Sequence, residues 1–429
     1  MTTHDRAAIV SIGDELIYGQ TLDTNSRTIS AVLAEKNIRI HEHATVPDDL
    51  AAQSAVLRRF AASVPLVIVT GGLGPTADDL TRQALAEVMG DTLVLDEPSL
   101  RDIEAMFTRR GRAMSDLQRV QAMRPSRARM LPNPNGTAPG LAGTVGTCDI
   151  FCLPGPPNEM IPMLRDAVLP ILNPPTGAAV VTRVLHSLGL GEGDLAQRLG
   201  DLMDRSRNPL VGTTASGGVV SCRIRYEGPP GPAQAAVDST VESVRRAADP
   251  FIFGEGDDTL MSATLSALRA RSEKLLTVES CSGGLIGSLL TGVPGASDSY
   301  LGGWITYDNA LKIAEVGVPE RLLREHGAVS EHVAIAMAEG ALATAVGSAA
   351  HHALAVTGIA GPSGGTATKP VGTVYIALAS RNHPTQARRF LISGGRDAVR
   401  DRSAQLAIAM LRFRLVCVNP GPLLWEFNR

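Results

Sequence analysis

With 429 residues, 44% of them hydrophobic and 19% charged, the chain is too long for one core and too apolar to be disordered; at roughly 150 residues per domain it calls for two or three domains. Forty basic residues against 43 acidic ones leave a formal charge of −3, which excludes a global field drawing the chain to nucleic acid or to an anionic membrane, so small-molecule partners are expected. Aromatics at only 3% mean that Ala, Val, Leu and Ile must fill the cores. The stretch MTTHDRAAIVSIGDE carries charges where a signal peptide needs an apolar run, and no segment approaches the roughly 18 apolar residues of a bilayer crossing, so a cytoplasmic protein is expected. The five cysteines, Cys148, Cys152, Cys222, Cys281 and Cys417, are scattered without a CxxC pair, which argues against a disulfide framework or zinc site and for buried thiols.

In chain order, AAIVSIG (7–13) reads as a strand, TNSRTISAVLAEKNI (24–38) as a helix and IRIHEHATV (38–46) as a strand. A helix near 49–63 leads into the strand PLVIVTGG (65–72), and TADDLTRQALAEVMG (76–90) reads as a helix capped near Thr76 or an Asp. Repeated β then α predicts a doubly wound parallel sheet. The Pro/Gly-rich ILNPPTGA (171–178) opens a small α+β region in the order strand, helix, strands, helix. A second break at FGEGDD (253–258) starts another α/β domain, whose long helix is expected over EHVAIAMAEGALATAVG (331–347). The expected architecture is therefore α/β and multi-domain, divided as 1–170, 171–255 and 256–429.

TGGLGPTADDLT (70–81) follows a buried strand and opens a helix, the place where α/β sheets offer backbone N–H groups to anions. Gly71, Gly72 and Gly74 allow close approach and Thr76 adds a hydroxyl, but neither a P-loop nor GxGxxG is present. Two readings of Asp78 and Asp79 stand side by side. Either they complement the helix dipole, or they face phosphates across a hard divalent metal. GDELIYGQTLDTNS (13–26) brings Asp14 and Glu15 to the end of the first strand, and PGPPNEM (154–160) adds a rigid turn with Glu159.

VSIGDELIYGQTLDTNS, TGGLGPTADDLT, LPNPNGTAPG (131–140) and LPGPPNEM (153–160) together resemble the N-terminal, molybdopterin-binding-like domain of CinA proteins. The resemblance implies hydrolysis of the pyrophosphate of ADP-ribose or a related dinucleotide with a divalent metal (Mg, Mn or Co). It implies a ligand site at Asn25, Gly71, Gly72, Gly74, Thr76, Asn135, Thr137 and Gly155, with metal ligands drawn from Asp14, Glu15, Asp78, Asp79 and Glu159. The middle region resembles the family's KH-like connector, without the basic GxxG clamp of RNA-binding KH units, so no nucleic-acid partner is expected.

In the last domain, three loops close strands: VESCSGG (278–284), PGASDSYLGGWITYDNALK (294–312) and TGIAGPSGGTATKPVGT (357–373). They hold serines, tyrosines and lysines but no histidine, and a lysine of lowered pKa serves as a base in Ser-Lys enzymes. Lys312 lies 15 residues after Ser297, with Tyr307 between them and Asn309 placed to cap the lysine's helix or orient substrate. The bland reading makes Ser297 a turn residue, Tyr307 a core aromatic and Lys312 a solvated lysine; Cys281 is a rival nucleophile that lacks a histidine partner. These loops, with GAVS (327–330) and KPVGTV, resemble the nicotinamide-nucleotide amidase domain of the same family. The resemblance implies a Ser297–Lys312 dyad with Tyr307 beside it, acting without metal to turn nicotinamide mononucleotide into nicotinate mononucleotide and ammonia. Substrate contacts are implied at Glu279, Ser280, Cys281, Ser282, Gly283, Gly284, Asn309, Thr357, Gly358, Gly361 and Thr366. Ser282 stands for the family's usual threonine, Tyr300 for a phenylalanine and Ala296 for a serine, leaving Ser297 as the serine of that step. A homodimer is expected. The rival class is a competence-associated binding or regulatory protein that holds a pterin-like or nucleotide ligand without turnover.

Overall fold

The computed structural model describes residues 2–344 and 349–427. The chain forms two compact units, one of residues up to 181 together with 227–233, the other of 182–226 and everything from 234 onward. Among the described residues no helix is long and apolar enough to cross a membrane.

The first unit carries a six-stranded sheet in the order Arg39–Val46, Arg6–Ile12, Leu66–Thr70, Cys148–Leu153, Gly140–Val145, Arg129–Leu131. The first four strands run parallel, as the β-then-α alternation predicts. The last two are antiparallel, which corrects the expectation of a wholly parallel sheet. The cause is local: only Gly146 and Thr147 link Val145 to Cys148, and a parallel return needs a crossover of a dozen residues or so. Side chains of the central strands alternate between two cores. Ala8, Val10 and Ile12 join Val56, Leu57 and Phe60 on one face, while Ala7 and Ile9 join Ile29, Leu33 and Met160 on the other. The ends of the parallel strands are thereby left clear for loops.

The helix expected from residue 76 begins at Thr81, so Asp78 and Asp79 lie in the preceding loop and the reading of them as first-turn dipole partners is corrected. Asp79 is the reason. Its carboxylate accepts from Gly74 N at 2.7 Å and Thr76 N at 2.8 Å, folding 74–79 into a turn instead of a helical start.

The strand, helix, strands, helix order of the middle region is present as Ala179–Leu188, Glu192–Leu199, Leu210–Ser216 with Val219–Gly228, and Pro230–Ala248, and Ile252–Glu255 adds a fourth strand. The last region has a five-stranded sheet ordered Tyr300–Ile305, Leu275–Glu279, His352–Gly358, Thr373–Ser380, His383–Leu391. Its first three strands are parallel and the rest antiparallel. Helix Glu331–Ala343 lays Ala334, Ala338 and Ala341 on Ala353, Ala355 and Ala377, an alanine-on-alanine contact that brings helix and sheet close and explains a core so poor in aromatics. Residues 345–347 of the expected helix fall outside the described residues.

At the start of the strand His352–Gly358, the buried His352 ring bridges Ser380 Oγ (2.8 Å) and Glu273 Oε2 (2.9 Å). Burial holds its pKa below the ordinary histidine value, against the pull of Glu273 and with a small push from His351 and Arg414. The unfolded chain therefore binds a proton at a pH where the folded one does not, and stability is lost as pH falls below about 6.5. Melting temperature should drop on acidification through this window, and His352→Gln should flatten that part of the curve; an unchanged slope would remove the histidine from the account.

Candidate functional site

Two sites emerge, one in each unit. In the second unit, Ser280 closes the strand Leu275–Glu279 and Thr306 and Tyr307 follow the parallel strand Tyr300–Ile305, so all three sit at the same edge of the sheet. Helix Asn309–Val316 then turns Lys312 back into that edge, where its side chain is 1% exposed. Lys312 Nζ lies 2.7 Å from Thr306 O, 3.3 Å from Tyr307 O and 3.3 Å from Ser280 Oγ. Burial pushes the Lys312 pKa below the ordinary lysine value, partly opposed by Asp308. A neutral amine has two N–H donors and one lone pair. Two carbonyls take the donors, which leaves the lone pair for the Ser280 hydroxyl.

Ser297 is not part of this arrangement, which corrects the expected dyad. It lies exposed in the single turn Ala296–Asp298, just before Tyr300, and Tyr300 pairs with Leu275 at the beginning of the strand whose far end carries Ser280. Five residues of strand separate those levels, roughly 16 Å. Tyr307 stands beside Lys312 through its backbone carbonyl and is not a core aromatic: its ring is exposed and its hydroxyl accepts from Arg396 Nη2 at 3.1 Å. Asp308, not Asn309, caps the lysine's helix, accepting from Ala310 N.

The residues of the surrounding turn also have partners within the protein. Glu279 is buried, and its two carboxylate oxygens accept from Ile286 N (3.0 Å) and Gly287 N (2.9 Å), anchoring the helix Leu285–Thr291. Burial raises the Cys281 thiol to about 12, so it is inert at neutral pH. Gly283 and Gly284 adopt φ of +65° and +91°, which lets the chain double back between strand and helix. Thr357 Oγ1 donates to Ala328 O, Gly358 packs against Cys281 Sγ, and Thr366 is exposed within its own loop. Helix Arg396–Leu415 supplies two residues that sequence reasoning missed. Arg396 Nη1 donates to Gly361 O at 2.8 Å, tying that loop to Tyr307, and Arg400 donates to Ser282 O. The buried hydroxyls of Ser282 and Thr306, neighbours of the pair, have no hydrogen-bond partner among the described residues.

In the first unit, a cleft of 390 Å³ is lined by Gly13, Glu15, Asp48, Gly71, Gly72, Gly74, Asp78, Asp79, Thr137, Gly155 and Glu159. A second lobe of 330 Å³, lined by Asn25 and Thr70, shares Glu15 and Gly155 with it. Three amides of the glycine loop are already engaged: Gly71 N donates to Leu153 O, and Gly74 N and Thr76 N donate to the Asp79 carboxylate. Beneath the loop, fully buried Arg82 donates to Leu73 O and Gly74 O, and burial lowers its pKa to about 10. Asn25 Nδ2 donates to Thr70 Oγ1 (2.9 Å) and Gly155 O (2.7 Å), leaving Asn25 Oδ1 buried and unpartnered. Gln121, 2% exposed on the wall of the larger lobe, likewise has an unpartnered side-chain oxygen. Asn135 Nδ2 donates to Asn158 O, and Glu159 accepts from Asn133 Nδ2 at 2.7 Å, against which Gly136 leaves no room for a Cβ.

Asp14 and Asp48 exchange contacts through each other's backbone amides, at 3.0 and 3.3 Å. Burial, together with Asp14, Asp78 and Glu15, raises the Asp48 pKa. Among the described residues, however, no three His, Cys, Asp or Glu side chains are grouped to hold a metal ion by themselves. An ion of the Mg type takes one or two carboxylates plus substrate phosphates, and that is the only manner in which this acidic wall fits one.

Three family models cover the chain in succession: "Probable molybdopterin binding domain" over residues 8–174, "Damage-inducible protein CinA KH domain" over 182–254 and "CinA C-terminal domain" over 257–415. A competence-damage inducible protein of Symbiobacterium thermophilum is 42% identical over 419 residues, 95% of this chain and 98% of the relative. A CinA-like protein of Gemmatimonas aurantiaca is 40% identical over 415 residues, 94% and 95% of the two chains. A solved CinA structure from Thermoplasma acidophilum is 33% identical, with a TM-score of 0.36 over 38% of this chain and 96% of that one. With near-complete coverage by relatives of this identity and the three domains in order, the chain belongs to the CinA family.

Proposed function

We propose that the second unit hydrolyses the carboxamide of nicotinamide mononucleotide, with Ser280 as nucleophile and Lys312 as its base. The observation that carries this is a buried lysine of lowered pKa whose third partner is a serine hydroxyl. Lys312 takes the Ser280 proton as Oγ attacks the carboxamide carbon. Collapse of the tetrahedral intermediate breaks the C–N bond and returns that proton to the departing ammonia. Water, deprotonated by the same amine, then cleaves the ester, yielding nicotinate mononucleotide and free Ser280. Ammonia release from purified protein given nicotinamide mononucleotide tests the reading; a protein that binds the nucleotide without releasing ammonia would belong to the rival binding class.

For the first unit, we assign the two-lobed cleft, whose walls carry the unpartnered acceptor oxygens of Asn25 and Gln121, to ADP-ribose or a related dinucleotide, whose ribose hydroxyls and base amino group are donors and whose pyrophosphate is the bond cut. A divalent ion there would be shared between Asp48, Glu15 or Asp78 and the phosphates, neutralising charge on the transferring group. A chelator should stop ADP-ribose hydrolysis and leave ammonia release intact. Asp79→Ala should do the same by unfolding the 74–79 turn, at a stability cost of about 1–3 kcal/mol. Loss of ammonia release on chelation, with circular dichroism unchanged, would contradict the metal-free mechanism of the second unit.

A further inference from the structure

A cavity of 550 Å³ lies between the strand His383–Leu391, the end of helix Arg396–Leu415 and residues 417–423. Its volume is within the range of about 300–1,000 Å³ usual for small-molecule sites. Met410, Phe413 and Leu423 make part of its wall apolar, while His383, Arg388 and Arg414 face it from the other parts, and no Asp or Glu lines it among the described residues. His383 pairs with Ser380, which pairs with His352, which pairs with Leu275. That edge of the cavity therefore stands at the opposite end of the sheet from Ser280 and Lys312.

The two arginines differ. Arg388 is neutralised by Glu426 Oε2 at 2.8 Å and donates to Gly421 O. Among the described residues, Arg414 has no carboxylate as a hydrogen-bond or ion-pair partner, and its buried Nη1 has no partner. Its Nη2 meets Gln386 Oε1 only at 3.4 Å. That amide is better satisfied turned over, with its oxygen accepting from Arg388 Nε at 3.0 Å and Nη2 at 3.1 Å, which leaves Arg414 without an acceptor. A half-buried guanidinium without an acceptor is costly unless something else supplies the oxygens.

We propose that this cavity is a third ligand site, distinct from both proposed reaction sites, that takes a small amphipathic anion: a carboxylate or phosphate held by Arg414 on a body packed against Met410, Phe413 and Leu423. Nη2 meets its protein acceptor only at 3.4 Å and loses it when the Gln386 amide is turned over, and an anion oxygen supplies the missing partner. Neutral ligands of the same shape leave the guanidinium unsatisfied and bind weakly.

Cys417 provides the readout. It lines the cavity and is the exposed thiol of the five cysteines, while the other four are buried. N-Ethylmaleimide at neutral pH should label Cys417 alone in the folded full-length chain. Phenyl phosphate and phenylacetate should slow that labelling saturably, roughly tenfold once at about ten times their dissociation constants. Benzyl alcohol, which has the body without the charge, should not. Arg414→Leu and Arg414→Gln should label at the unliganded rate and lose the protection, with unchanged melting showing that they fold. Should either variant fail to fold, the comparison of anions with benzyl alcohol on the natural chain decides. No saturable protection by either anion, equal protection by benzyl alcohol, or full protection in the folded Arg414 variants would overturn the assignment.

Discussion

Ser280→Ala is expected to lower ammonia release by roughly 10³-fold or more, and Ser297→Ala to leave it close to the natural rate. The first substitution removes the oxygen that faces Lys312 Nζ at 3.3 Å; the second trims an exposed turn at the other end of the strands. Ser280 is 8% exposed, and its hydroxyl makes one hydrogen bond, to the lysine, so the loss should reflect chemistry more than folding. Melting within about 1 kcal/mol of the natural chain would establish that. The reverse pattern, an active Ser280→Ala enzyme and a dead Ser297→Ala one, would return the nucleophile to the turn. Cys281→Ser should retain most activity, because a thiol raised to about 12 contributes packing and not a thiolate.

Lys312→Arg should fail nearly as completely as Lys312→Met. A guanidinium keeps its proton at every pH in use and cannot present a lone pair to Ser280. The pH profile supplies the sign. Burial lowers the Lys312 pKa, so the neutral, active form is reached below the ordinary value of 10.5, and kcat/KM should rise with pH to a plateau reached earlier than a solvated lysine would allow. Below that pKa the ammonium donates to Thr306 O, Tyr307 O and Ser280 Oγ alike, and the serine has nothing to take its proton. An arginine variant that keeps measurable activity and the same rising limb would make Lys312 an electrostatic anchor and place the base elsewhere.

Much of this architecture is legible in the sequence. The buried runs AAIVSI and LVIVT show as strands because both their faces meet apolar cores. The need for a depressed lysine follows from loops that hold serine without histidine. The lysine's partner is harder to read, since Ser280 is 32 residues from Lys312 and Ser297 only 15. The signal was nevertheless present. Two parallel strands place the residues that follow them at one edge, and Ser280 follows one strand as Thr306 follows the next, whereas Ser297 precedes its strand. Asp79 misleads for a different reason: a carboxylate before a helix reads as a dipole partner, and here it prefers the free amides of its own loop. Arg396, Arg400, Gln121 and Arg82 carry no local signal at all. Their roles arise from packing between elements far apart in the chain, and no periodicity marks an arginine that will bind a carbonyl 118 residues away.

The most direct measurement is the identity of the covalent intermediate. Protein mixed with nicotinamide mononucleotide, quenched in acid during turnover and digested, should yield a peptide containing Ser280 heavier by the acyl nucleotide, with the adduct absent from Lys312→Met protein. An adduct on the peptide carrying Ser297, or on the Cys281 thiol, or ammonia release with no acyl group at Ser280 in rapidly quenched samples, would contradict the Ser280–Lys312 mechanism.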